Sequence, residues 1–170
     1  MVDRPELSSV LYRNQRREFP VIERAEGVYL YDRDGKRYLD AMAGAGVVSV
    51  GYGVLQIVDA VHRQAERAAF AYGAQFTTEG QTWLAEEVVG LAPEGITKAF
   101  FVSVGPEATE AALKIARQYF VEAGAPERHK VIGRRGSFHG NTLGALSASG
   151  RAPWQELYGA LLLEIPHIEP

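Results

Sequence analysis

The sequence contains no cysteine, which removes disulfides, thiolate metal sites and cysteine nucleophiles together and fits a reducing compartment. No apolar run approaches the ~18–20 residues that a membrane-spanning helix needs. Met1 to Pro20 is charged and lacks the apolar stretch of a secretory signal, so a cytoplasmic protein is expected. Neither sign of charge dominates: 18 basic and 21 acidic residues give a net charge of −3 and are mixed along the chain. A nucleic-acid partner needs a clustered basic face, and Arg134-Arg135 is too short to be one; the pair reads as solvated or locally paired. Familiar catalytic signatures are missing too. There is no G-x-x-x-x-G-K-[ST], no H-E-x-x-H and no G-x-S-x-G. His62, His129 and His167 lie far apart without ligand spacing, so no metal site is expected. Glu86-Glu87 reads as a solvated helix face.

What is present is ordinary for a folded protein. Apolar residues make up 46% of the 170 and charged residues 23%, enough for a core in about one domain. The region 1–20 reads as a polar, arginine-rich arm in which Leu7, Val10 and Leu11 could form one helical stripe. The period then becomes two, in Val21–Arg24 and Val28–Tyr31. Asp32–Gly35 is a turn, since Asp tolerates and Gly freely adopts left-handed backbone, and Lys36–Leu39 resumes the strand. Ala43–Gly53 is glycine-rich, without a clear period, and is expected to be a close-packed loop. Its Gly44-x-Gly46 lacks the third glycine and the βα context of a dinucleotide fingerprint.

From Val54 onward a helical period sets in, with Val54, Ile57, Val58, Val61, Ala65, Ala68 and Ala69 on one face. Thr78–Gln81 reads as a capping box opening a second helix with the stripe Leu84, Val88, Leu91. Lys98–Ser103 suits a buried strand. A third helix is predicted from about Pro106 to Ala123, closed by Gly124 and Pro126. Lys130–Gly133 and Leu161–Ile165 read as further strands. Helix and strand alternate after the hairpins, which points to an α/β layer with a mixed or parallel sheet. With so few strands, poorly covered sheet edges are expected, a first hint that the chain is a fragment.

Two stretches could carry chemistry. Ser103-Val104-Gly105-Pro106-Glu107-Ala108 runs from strand into helix. A helix N-terminus offers unpaired N–H groups and partial positive charge to a phosphate, and Gly105 would let it approach the backbone. Every α/β protein has such turns, however, and the stretch alone favours a plain one. Gly136-Ser137-Phe138-His139-Gly140-Asn141-Thr142 sets an aromatic beside a histidine between glycines, a platform for stacking a flat heterocycle. The competing reading is a turn with a core Phe and a helix-capping Asn or Thr.

Taken in order, these blocks resemble the class III aminotransferases. Gly27–Asp40 is similar to that family's opening hairpin, Gly51-Tyr52-Gly53 to its next block, and Phe76-Thr77-Thr78 to the lead into its next helix. Phe100–Arg117 resembles its phosphate-cup strand and helix, and Phe138-His139-Gly140 its aromatic-histidine-glycine motif. The matches are co-linear from about residue 20 to 150. The resemblance implies an α/β protein: an N-terminal arm and β-hairpin segment (1–50), then the start of a fold-type I large domain (51–170) with a mostly parallel sheet and flanking helices, its remainder absent. It implies pyridoxal 5'-phosphate (PLP) as cofactor, with Val104, Gly105 and Pro106 facing its phosphate, Phe138 stacking on its ring, and His139 an orienting neighbour. It implies transfer of an amino group from an amine or amino acid to a 2-oxo acid, and a homodimer when the protein is full length.

Departures from the pattern shape the expectation. Val104 stands where the family has glycine and so could block a positive φ or close cofactor approach. Pro106 stands where it has serine or threonine, removing an N–H and a hydroxyl; weakened PLP binding is expected. Leu55, where proline is frequent, is a mild change. The family's cofactor-bonding lysine and its ring-pairing aspartate fall downstream of anything present. Lys36, Lys98, Lys114 and Lys130 lie outside that context, so no catalytic residue is expected in this chain and the chain alone is expected to be inactive. Alternatives are a non-catalytic fragment or pseudoenzyme serving as a binding or dimerisation module, and an aminomutase of the glutamate-semialdehyde type.

Overall fold

The computed structural model describes residues 9–12, 14 and 16–170. The chain divides into two compact units between Thr78 and Glu79.

In the first unit, β1 (Ile22–Glu26), β2 (Tyr29–Asp32) and β3 (Arg37–Leu39) form an antiparallel sheet in that order. The β2–β3 turn is set by Asp32. Its carboxylate accepts the N–H of Asp34 (3.0 Å) and of Lys36 (2.9 Å), an Asx turn of the kind that suits this Asp-rich stretch. The same carboxylate accepts the Tyr38 hydroxyl at 2.6 Å. That bond is the chief reason the Asp32 carboxyl is held below its usual range and the Tyr38 phenol above its own. Across the strands, the Arg24 guanidinium lies 3.5 Å over the Tyr31 ring and that of Arg37 lies 4.6 Å over Tyr29. The hairpins are thus stitched by cation–π contacts rather than by an aliphatic core.

After β3 the chain makes a short left-handed turn, α1 (Ala43–Gly46), with Gly44 at φ 59° and Ala45 at φ 60°. The Asp40 carboxylate holds it, accepting Gly44 N–H at 2.8 Å and the Tyr52 hydroxyl at 2.7 Å; the tyrosine bond in particular depresses the Asp40 pKa. Helix α2 (Leu55–Ala68) follows. Two expectations need correction. Val10 and Leu11 lie in irregular backbone, while Leu7 lies outside the described residues. The 43–53 loop is held by backbone and carboxylate bonds rather than by packing, and Val47 and Val50 are exposed. The apolar stripe of α2 is likewise exposed, Val61 at 64%.

The second unit contains α3 (Glu79–Gly90), α4 (Gly105–Glu122), β4 (Gly133–Arg135), α5 (Leu143–Ala148), β5 (Ser149–Gly150), α6 (Ala152–Tyr158) and β6 (His167–Ile168). The three strands make a parallel sheet in the order β5-β4-β6. Ala145, Leu146 and Ala148 of α5 are the buried apolar core, and Ser147 and Ser149 are buried among them. Both serines are satisfied: Ser147 donates to Leu143 O (2.6 Å) and accepts Leu163 N–H (2.9 Å), while Ser149 donates to Ala145 O (2.8 Å). The three predicted helices are present, and α4 ends as expected ahead of Gly124 and Pro126.

The predicted strands fare differently. Lys98–Ser103 is not a strand: it has no ladder partner among the described residues, and Phe100 is 71% exposed. Lys130–Gly133 was placed too early, the ladder beginning only at Gly133. Leu161–Ile165 is a 3-10 turn and irregular backbone, and the strand comes later, at His167–Ile168. Arg135 is paired with Glu169 at 2.7 Å on the surface.

Candidate functional site

The first predicted site lies at the start of α4. Val104 is the N-cap residue, at φ −148° and ψ 160°. This is extended backbone open to any residue, so the valine does not block a required positive φ. The first helical bond runs from Ala108 N–H to Val104 O at 3.1 Å. The N–H groups of Gly105 and Glu107 precede it, as helix geometry dictates, while Pro106 contributes none. Glu107 turns its carboxylate back onto Ser103 N–H at 2.8 Å. Gly105 is exposed, and a Cβ there would meet nothing within 4 Å. The fold therefore does not demand glycine at 105, and its bareness leaves the backbone amide approachable.

The second predicted site, Gly136–Thr142, connects β4 to α5. Phe138 is 49% exposed. Its ring meets Trp154 of α6 edge-to-face, with centroids 5.5 Å apart, and the Arg151 guanidinium lies 5.0 Å from its centroid. Aromatic and cation contacts thus hold one part of the ring while about half of the residue stays open. The His139 side chain is exposed, but its backbone is held twice: its N–H donates to Ser149 Oγ at 2.9 Å, and its carbonyl accepts the Thr109 hydroxyl at 3.1 Å.

The structure brings the two sites together. Gly140 has φ +128°, and a Cβ on it would sit 2.4 Å from Pro106 Cγ. The loop backbone therefore rests directly on the first turn of α4. Four residues along the helix from Pro106, the Glu110 carboxylate accepts the Thr142 hydroxyl at 2.7 Å and the amides of Gly144 (3.1 Å) and Ala145 (3.3 Å). Thr142 also caps α5, accepting Ala145 N–H at 3.4 Å. The capping reading of this stretch and the platform reading are both compatible with one loop.

Residues 11–170 match the model of the aminotransferase class-III family. The chain belongs to the class III aminotransferases. Among its relatives, the uncharacterized aminotransferase YodT of Bacillus subtilis is 40% identical over 147 residues, which is 86% of this chain and 31% of that protein. The crystal structure of adenosylmethionine-8-amino-7-oxononanoate aminotransferase from Methanocaldococcus jannaschii superposes with a TM-score of 0.90 at 30% identity, covering 98% of this chain and 39% of that one. That of the omega transaminase from Pseudomonas jessenii in complex with PMP gives 0.89 at 27% identity, covering 98% and 38%. The chain thus spans about a third of the length of the curated relatives it matches. Its α/β layering is that of the fold-type I transaminases.

PLP is the cofactor of class III aminotransferases, and the residues present fit such a group. A helix N-terminus with approachable amides lies against the loop that carries a half-open aromatic ring two residues before its point of contact, Gly140 on Pro106. Sequence reasoning singled out Val104, Gly105, Pro106, Phe138 and His139. It missed Thr109, Ser149, Arg151 and Trp154, which contact Phe138 or His139, and Glu110, which holds Thr142. The one available signal was spacing: 106, 109 and 110 share a helix face.

Proposed function

We propose that this chain supplies the phosphate-facing and ring-facing parts of a PLP-dependent transaminase that moves an amino group from an amine or amino acid to a 2-oxo acid. The observation that supports the reading is the contact of Gly140 on Pro106, which brings the loop carrying Phe138 against the α4 N-terminus within a chain of this family. When bound, PLP acts as an electron sink for the bonds around the substrate's amino-bearing carbon.

The chain's own residues bind and orient. The Gly105 and Glu107 amides donate to the phosphate, aided by the partial positive charge of the helix end. Phe138 offers its face to the ring, and the twice-held His139 backbone keeps Phe138 in place. Pro106 withholds one N–H and one hydroxyl from the phosphate, so PLP binds more weakly than it would over a serine. The lysine that bonds the cofactor comes from residues outside these 170. Lys114 is eight residues beyond Pro106, roughly 12 Å along the helix.

The test uses the native gene product. It is titrated with PLP by absorbance, assayed with pyruvate or 2-oxoglutarate as amino acceptor, then treated with borohydride to fix the cofactor and mapped by peptide mass. The expected result is amino transfer, with label on a lysine other than Lys36, Lys98, Lys114 or Lys130. Label on one of those four overturns the division of labour, and no PLP binding overturns the site.

A further inference from the structure

We infer that Glu110 is a positioning residue for the aromatic platform: a single carboxylate oxygen on α4 ties down the loop that carries Phe138. The inference rests on the proposal that Phe138 faces the cofactor ring. Three donors converge on one atom, Glu110 Oε1: the Thr142 hydroxyl and the amides of Gly144 and Ala145. The approach is close: a Cβ on Gly144 would lie 2.6 Å from both carboxylate oxygens, so a side chain there would displace the Glu110 carboxylate.

Glu110 does not act alone. Pro106, Thr109 and Glu110 stand at i, i+3 and i+4 on one face of α4, where side chains are neighbours. Pro106 lies against Gly140, Thr109 donates to the His139 carbonyl, and Glu110 holds Thr142 and the first turn of α5. From the other side, buried Ser149 accepts His139 N–H. The short loop is therefore gripped at 139, 140 and 142 on one side of Phe138, while on the other side Gly150 bonds Gly136 and Ser137. Of the three α4 contacts, the one at Glu110 is ionic, so its bonds are of the charge-assisted kind. The helix whose first turn faces the phosphate thus also sets the ring platform, and Glu110 is the link between the two.

The test is a double-mutant cycle on the native gene product, freed of cofactor and titrated with PLP, with quenching of tryptophan fluorescence as readout. Glu110→Ala is expected to weaken PLP binding by about tenfold, within the ~100-fold that a misplacement of about 1 Å can cost. Glu110→Gln keeps an acceptor oxygen and is expected to stay within about threefold of wild type, since only the charge assistance is lost. Phe138→Leu alone should also weaken binding, and the double variant Glu110→Ala with Phe138→Leu should be no weaker than Phe138→Leu. Additive losses would mean that Glu110 does not work through Phe138, and the inference falls. If Phe138→Leu leaves Kd unchanged, the underlying site reading falls instead. Should Glu110→Ala fail to fold, the cycle is run with Thr142→Val, which removes the shortest of the three bonds; additivity there overturns the inference equally.

Discussion

At the scale of single residues, the structure separates two departures that look alike in sequence. Val104 is extended and exposed, so restoring glycine there alone should leave PLP affinity within about twofold, because no strained backbone is relieved. Pro106 differs, because it withholds donors. Pro106→Ser, alone or with Val104→Gly, should tighten PLP binding by about tenfold or more, since a hydrogen bond to a charged partner contributes roughly 1.5–3 kcal/mol. A PLP titration of the two single variants checks the contrast, and an unchanged Kd for Pro106→Ser removes residue 106 from the phosphate site. Gly140 is the converse case, where sterics leave no choice. Gly140→Ala puts a methyl into Pro106 at a φ that L-residues rarely adopt, which costs about 1–3 kcal/mol from the backbone alone. A lowered thermal midpoint together with weakened PLP binding is expected; an unchanged midpoint would mean the loop can lift away from α4. The loop from Gly136 to Thr142 was legible in the sequence as a turn with a capping Thr, and Thr142 does cap α5. Glu110 was not, because its partners lie more than thirty residues away and only the folded chain brings them to one oxygen.

At the scale of elements, legibility followed the source of each element's stability. Helices α2, α3 and α4 announce themselves through a local period, and their limits through Thr78, Pro106, Gly124 and Pro126. A strand is a property of a pair. Lys98–Ser103 has the composition of a strand and no ladder partner among the described residues, while β5 and β6, two residues each, are too short to show any period. The hairpins were legible because their turn chemistry is local. That chemistry has a pH signature. The Asp32 carboxyl is held below its ordinary range, chiefly by the Tyr38 hydroxyl. A carboxyl with a depressed folded pKa adds stability that is present above its unfolded value, near 4, and lost as pH falls through the folded one. The Tyr38 phenol is raised, so its contribution is full below about pH 10 and is lost as pH climbs past it. Tyr38→Phe should therefore flatten both limbs of the hairpin's stability profile, its cost being largest at neutral pH, where both contributions are full. Amide hydrogen exchange at β2 and β3 between about pH 2 and 5 reads the acid limb. If wild type and Tyr38→Phe lose protection in parallel there, the Asp32–Tyr38 bond is not what holds the turn.

At the scale of the whole molecule, each unit leaves many large apolar side chains exposed. Ala145, Leu146 and Ala148 are the buried hydrophobic side chains among the described residues, whereas Ile57, Val58 and Val61 on α2 and Phe100 ahead of α4 are open. In the second unit a cavity of about 1010 Å³ is lined by Leu113, Val131, Leu163 and Ile165 together with charged side chains that include Lys114 and Arg117. Scattered exposed apolar residues are normal, but contiguous stripes and troughs are surfaces that want covering. Their sequence pattern is that of a core-facing helix, and this is why the periodicity predicted the helix correctly. The chain spans about a third of the length of its relatives, and a core distributed over a longer polypeptide would leave such faces on any one third. The consequence is measurable on the 170 residues expressed alone. They should bind a hydrophobic dye strongly and self-associate at micromolar concentration, because exposed apolar area is removed from water at about 25 cal/mol per Å² when copies meet. Ile57→Lys with Val61→Glu should reduce dye binding and association together, since both positions lie on the same open stripe of α2. Weak dye binding by a monomer in sedimentation would mean that the stripe is covered within the chain itself, and the account of α2 as a half-finished core element would have to go.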